Sequence, residues 1–253
     1  MNSFCAEICL PVKSEIAHLL RWYRDSGVCD IDGCIAGALF SLEENVQPLQ
    51  SSADLSAISD NASAPVSVCE SLESLREAMY KAPCDLRYYA KNFVFARGDC
   101  CSKVVFVGEA PGADEDAVGL PFVGVSGQLL DKMIASMDLS RESVYVTNIV
   151  PWRPPANRTP TADELAIFRP FLIEHMRIVD PEIIVCLGST SAKALLQSHI
   201  SISDMRGQAF RLPDFRAEIV PTFHPSYLLR SPGQKKLAWQ DFLFVAQRLK
   251  ARL

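Results

Sequence analysis

Three short motifs in this chain combine residue types and spacing that can do chemistry. An apolar run, Val104 to Val107, stops at Gly108 and passes into a Gly/Pro loop, Gly108-Glu109-Ala110-Pro111-Gly112, followed by the acids Asp114, Glu115 and Asp116. Asn148 ends a second apolar run, and His224-Pro225-Ser226 follows a third, Ile219–Val220. A side-chain amide carries both a donor and an acceptor, so Asn148 can read a polar edge or bond to backbone at a strand end. The two readings are equal on the residues alone. A neutral imidazole N–H at His224 can donate to an oxygen that gathers negative charge, without the cost of burying a cation. The glycine-rich loop and the histidine loop together point to chemistry on a nucleobase.

The elements that must position these residues are legible. Segments 103–107, 143–147, 182–187 and 217–221 have β character. Helical patterns at 126–138, 161–178 and 189–197 separate them, and 235–252 closes the chain, with Thr161 and Glu164 forming a capping box. Alternation of strand and helix predicts an α/β fold with parallel strands and helices on both faces. In open α/β sheets ligands bind beyond the carboxyl ends of the strands, where all three motifs fall. Upstream, residues 14–26 read as a short amphipathic helix, with Ser14 as its cap and Gly27 as its stop. The expected organisation is an N-terminal helical extension over 1–44, a low-complexity linker over 45–71, partly disordered, and a catalytic domain over 72–253.

Composition narrows the setting. Hydrophobic residues make up 49% of the 253, ample for a core, and no apolar run reaches the roughly 18 residues that span a bilayer. The start, MNSFCAEICLPVKSE, lacks the features of a secretion signal, and nine cysteines without framework spacing read as reduced thiols. A cytoplasmic monomer without membrane contact is expected. The net charge of −5 argues against a general basic coat for nucleic acid, but its distribution is uneven. Residues 1–80 carry four Lys/Arg against twelve Asp/Glu, and residues 201–253 carry nine against four. Local positive potential is what nucleic acid needs.

Read in order, GEAPG with Glu115 and Asp116, Pro121-Phe122-Val123-Gly124, Thr147-Asn148, RPPANR (Arg153–Arg158) and His224-Pro225-Ser226 resemble the uracil-DNA glycosylases of the group called family 4. The resemblance runs from about Cys84 to the C-terminus. It implies a three-layer sandwich around a four-stranded parallel sheet, with uracil-containing DNA as partner and base-excision repair as the task. It implies Phe122 as stacking platform, Asn148 as reader of the uracil edge and His224 as electrophile, with Gly108, Glu109, Ala110, Pro111 and Gly112 lining the base. A related family places a water-activating Asp where this chain has Ala110. That leaves Glu115, Asn157, Glu109 or backbone carbonyls to place the water, and Glu115 can instead exclude the thymine methyl. Arg153, Arg158, Ser226 and Arg230 are candidate DNA contacts. Leu228 or Leu229 is a candidate wedge for the space the flipped base vacates. The N-terminal extension is a candidate contact for a replication or repair protein. The alternative to the enzyme is a non-catalytic or covalent uracil-DNA-binding module of the same fold.

Family 4 also implies a [4Fe–4S] cluster on four cysteines. Here the corresponding positions are Lys81, Cys84, Trp152 and Phe168, of which only Cys84 is a ligand type. The expectation is no cluster and no metal, with Trp152 and Phe168 sharing an apolar plug near Cys84.

Overall fold

The strands follow from continuous apolar runs, the pattern of a parallel sheet covered on both faces. The computed structural model describes residues 69–251 except Asp214. The predicted helix at 14–26 lies outside them, as does the predicted linker up to residue 68. Every residue of β2 (Val104–Gly108), β3 (Tyr145–Asn148), β4 (Ile183–Leu187) and β5 (Glu218–Thr222) is buried. Their period of two splits the side chains between two cores. Val105, Val107, Ile184, Cys186 and Ile219 face one core, with Leu75, Met79, Phe168, Leu172, Met176 and Leu195. Val104, Phe106, Val185, Leu187 and Val220 face the other, with Leu130, Met133, Ile134, Leu228, Trp239 and Phe242.

Helices supply the outer layers. The first core is covered by α1 (Leu72–Tyr80), α4 (Ala162–Val179) and α5 (Ser189–Leu196), with the short α6 (Ile202–Met205) behind them. The second is covered by α3 (Val125–Ala135), α7 (Pro225–Arg230) and α8 (Lys235–Lys250), while α2 (Ala113–Val118) sits in the loop after β2. The capping box at α4 is present: Thr161 Oγ1 accepts from Glu164 N (3.2 Å) and Glu164 Oε2 accepts from Thr161 N (2.7 Å). Each fully buried large apolar side chain contributes about 1.5–3 kcal/mol.

The three-layer α/β architecture is as expected, with one correction. The sheet has five strands in the order β1-β3-β2-β4-β5, and β1 (Ala96–Gly98) pairs antiparallel with β3. The four parallel strands are flanked by an edge strand of three residues, too short to show a hydrophobic pattern. Within the described residues, Cys69 is also buried and its N–H donates to Glu174 Oε1 (2.8 Å). His175 is a core residue that bonds Tyr145 Oη through Nε2 (2.9 Å) and stacks on Phe95. Among the described residues no helix is long and apolar enough to cross a membrane.

Candidate active site

Parallel pairing brings the motifs together at the carboxyl end of the sheet. Gly108 at the end of β2 is in register with Asn148 at the end of β3. The pairing runs past both strands, as Ile149 N donates to Gly108 O and Val150 N to Glu109 O (both 3.1 Å). The first turn of the GEAPG loop is therefore held like a strand. On the other side Gly188 N donates to Thr222 O (2.8 Å), which ties the end of β4 to the chain entering His224.

Gly108 is the floor of the site. A Cβ there would lie 2.3 Å from Asn148 Oδ1 and 2.7 Å from Phe122 Cε2 and Cζ, so only glycine fits between amide and ring. Phe122 in turn lies 5.8 Å from the His224 ring, tilted by 32°. The structure thus gathers Gly108, Phe122, Asn148 and His224 around one space.

Phe122 is buried and has φ +54, a left-handed conformation that costs a bulky residue about 1–3 kcal/mol. Two residues absent from the sequence motifs hold it there. Arg141, itself buried, donates from Nη2 to Pro121 O (3.0 Å) and Phe122 O (3.1 Å) and pairs with Asp131. A Cβ on Gly127 would lie 1.9 Å from Phe122 O, so α3 can approach the loop only with glycine there. An isolated Arg and a Gly inside a helical pattern carry no signal of this role in the sequence.

Asn148 is 3% exposed and its Oδ1 has no hydrogen-bond partner. A buried acceptor left unpaired costs about 1–3 kcal/mol, so native proteins rarely keep one without a use. Oδ1 can accept from a donor brought against it.

His224 caps α7. Its Nδ1 accepts from Ser226 N (3.1 Å) and lies 2.8 Å from Ser226 Oγ. Because Nδ1 accepts an amide proton, the ring proton of the neutral form sits on Nε2. Burial, helped by the nearby Arg230 charge, pulls the imidazole pKa down to about 4. The ring is neutral at physiological pH, with one donor to offer.

Glu115 joins the two loops. Oε2 accepts from Gly112 N (3.1 Å) and Oε1 accepts from Val123 N (2.9 Å) and Gly124 N (3.0 Å). Both carboxylate oxygens are thereby committed to backbone, which makes Glu115 a brace between GEAPG and PFVG. Asp116 is a second junction: its Oδ1 accepts from Lys91 N (2.8 Å) and Asn92 N (3.0 Å), and Arg153 Nη1 lies 3.8 Å from its Oδ2. Glu109 is half-buried just beyond β2. Asn157, exposed and with φ +54, accepts from Arg153 Nε (2.7 Å).

Two of the expected DNA contacts are placed otherwise. Leu228 is fully buried in the second core and cannot act as a wedge, whereas Leu229 beside it is 40% exposed. Arg158 forks onto Glu164 through Nη1 (2.8 Å) and Nη2 (2.6 Å), so it is not free for a phosphate. Arg230 is exposed, and Ser226 serves His224.

The positions equivalent to the cluster ligands do not fit a cluster. Cys84, Trp152 and Phe168 share one apolar core, with Trp152 packed 4.9 Å from Phe93 and 5.4 Å from Tyr80. The Lys81 side chain is exposed. Among the described residues one group of three ligand-type side chains has donor atoms within 4.8 Å of one another. It is Asp99, Cys100 and Cys101, exposed before β2 at the opposite end of that strand.

A parallel sheet carrying a glycine-floored, aromatic-walled pocket with a buried amide and a neutral histidine matches a known class. The family model of the uracil DNA glycosylase superfamily matches residues 95–243, and the chain belongs to that superfamily. Within it, the chain is 40% identical over 164 residues to a type-4 uracil-DNA glycosylase of Thermotoga maritima, covering 64% of this chain and 85% of that protein. It is 37% identical over 180 residues to the type-4 enzyme of Archaeoglobus fulgidus, covering 68% and 90%. A type-5 uracil-DNA glycosylase of Pyrobaculum aerophilum is 29% identical over 154 residues, covering 54% and 67%.

Proposed function

We infer that this protein is a monofunctional uracil-DNA glycosylase that flips uracil from DNA and hydrolyses its N-glycosidic bond. The observation that carries the reading is the buried, unpartnered Oδ1 of Asn148. Uracil offers N3–H to that oxygen while its O4 accepts from the amide Nδ2–H. Cytosine presents the reverse pattern and leaves both groups mismatched. Phe122 stacks on the base. As the bond breaks, negative charge builds on the leaving uracil, and the Nε2–H of His224 donates to its carbonyl O2. Glu115 is taken up by three backbone N–H groups, so Glu109 is our candidate to hold the attacking water. Leu229 fills the gap left by the flipped base, and Arg230 meets a phosphate.

The test is release of free uracil from single- and double-stranded oligonucleotides carrying one uracil, with a chelator of divalent ions present. Free base and an alkali-labile abasic site are expected. Tight binding without release, or a protein–DNA adduct, would point to a binding module instead.

We propose further that the enzyme works without an iron–sulfur cluster. Support comes from the plug of Trp152 and Phe168 in the core around Cys84. Purified protein should carry no stoichiometric iron or sulfide and no broad visible absorption from thiolate-bound iron. Iron and sulfide that persist through gel filtration would refute this. The reading also includes action as a cytoplasmic monomer, with residues 1–44 as a contact for another repair or replication protein.

A further inference from the structure

Of the eight large apolar side chains exposed among the described residues, six lie on segments that carry the site or are bonded to it. Tyr88 (68% exposed) and Tyr89 (69%) sit on the segment whose Lys91 and Asn92 amides bond Asp116. Val118 and Leu120 lead into PFVG, Val125 opens α3 directly after it, and Leu229 follows the histidine loop. Exposed apolar side chains on the segments that build a site are available to whatever binds there.

The cations on these segments are mostly engaged. The Arg87 guanidinium lies over the Tyr88 ring at 4.7 Å and donates to its hydroxyl. Arg153 is shared between Asn157 and Asp116, and Arg158 is held by Glu164. Lys91 and Arg230 are exposed without a salt bridge among the described residues. A duplex-binding face works by neutralising several phosphates on both strands, and two free cations do that poorly. Unpaired bases instead offer π-faces to exposed aromatic rings. They also need no unpairing before a base enters the pocket.

We propose that the preferred substrate is uracil in unpaired DNA, with Tyr88 and Tyr89 stacking on bases that flank it. This rests on the pocket accepting uracil, but its test does not. Fluorescence anisotropy is measured on uracil-free oligonucleotides of one sequence, single-stranded and duplex, for the full chain. The wild type should bind the single strand about 10-fold or more tightly than the duplex. The double variant Tyr88→Ala/Tyr89→Ala should lose about 10-fold or more on the single strand, the scale of one lost base–aromatic stack. Its duplex affinity, melting temperature and salt dependence should barely change. Tyr88→Phe/Tyr89→Phe should keep the affinity, since the ring and not the hydroxyl does the stacking. Unchanged single-strand binding in the alanine variant would overturn the proposal, as would an equal loss on both forms. Failure of the wild type to release uracil would refute the glycosylase reading alone, because these affinities need no excision.

Discussion

His224→Ala lowers the single-turnover rate of uracil release by about 100- to 1000-fold, the usual effect of removing one donor that acts on transition-state charge. Affinity for uracil-containing DNA changes little, because the bond strengthens only as the base departs. The variant also loses the acceptor that caps α7, a cost of about 1 kcal/mol in stability. His224→Asn separates the two roles, since asparagine is a good cap but does not place a donor where Nε2 stands. A rate as low in His224→Asn as in His224→Ala assigns the loss to the missing N–H. A rate restored in His224→Asn would make the residue a cap and move the electrophile elsewhere. The pH profile follows with a definite sign. The imidazole pKa is depressed to about 4, so the neutral form that accepts at Nδ1 and donates from Nε2 persists as pH falls through the usual histidine range. The single-turnover rate should stay level from about pH 7 to about pH 5 as far as His224 is concerned. An acid limb centred near the ordinary histidine value of about 6.5 would refute the buried neutral ring.

Asn148→Asp should cut kcat/KM on uracil by about 100-fold or more, because a site built around paired hydrogen bonds discriminates strongly once they are mismatched. Asn148 is buried in contact range of the pocket floor, so an ionised carboxylate there would repel uracil O4 with little water to screen it. The same carboxylate accepts from the amino group of cytosine, as carboxylates do in base readout. The ratio of uracil to cytosine release on matched oligonucleotides should therefore move toward cytosine. Unchanged kinetics on uracil would remove Asn148 from base recognition.

The four parallel strands were legible because strands buried on both faces are rich in apolar residues, and each lies within two residues of its predicted span. The capped helix α4 was legible for a similarly local reason, the Thr161–Glu164 box. What stayed hidden was set by tertiary contact. β1 has three residues and α6 has four, too few for a period to show. Leu228 and Leu229 are chemically identical in the sequence, and only packing buries one and exposes the other. Glu115 read as a candidate base because a carboxylate in a loop is ambiguous until the loop's amides are placed. Arg141 and Gly127 support Phe122 from outside every motif. The clustering of Asn148 and His224 was expected from the strand ends and the part of Phe122 from the family resemblance, while the contact through Gly108 required coordinates.

That contact at Gly108 has a consequence for how the site can change. Three letters that stand apart in the chain, at 108, 122 and 148, meet within van der Waals range and form one unit of variation. A methyl group added at the floor displaces the amide or the ring, so no single step enlarges or reshapes the pocket there without loss. Substitutions at these positions should be strongly non-additive. A side chain at 108 would therefore have to arrive together with a smaller group at 122 or 148.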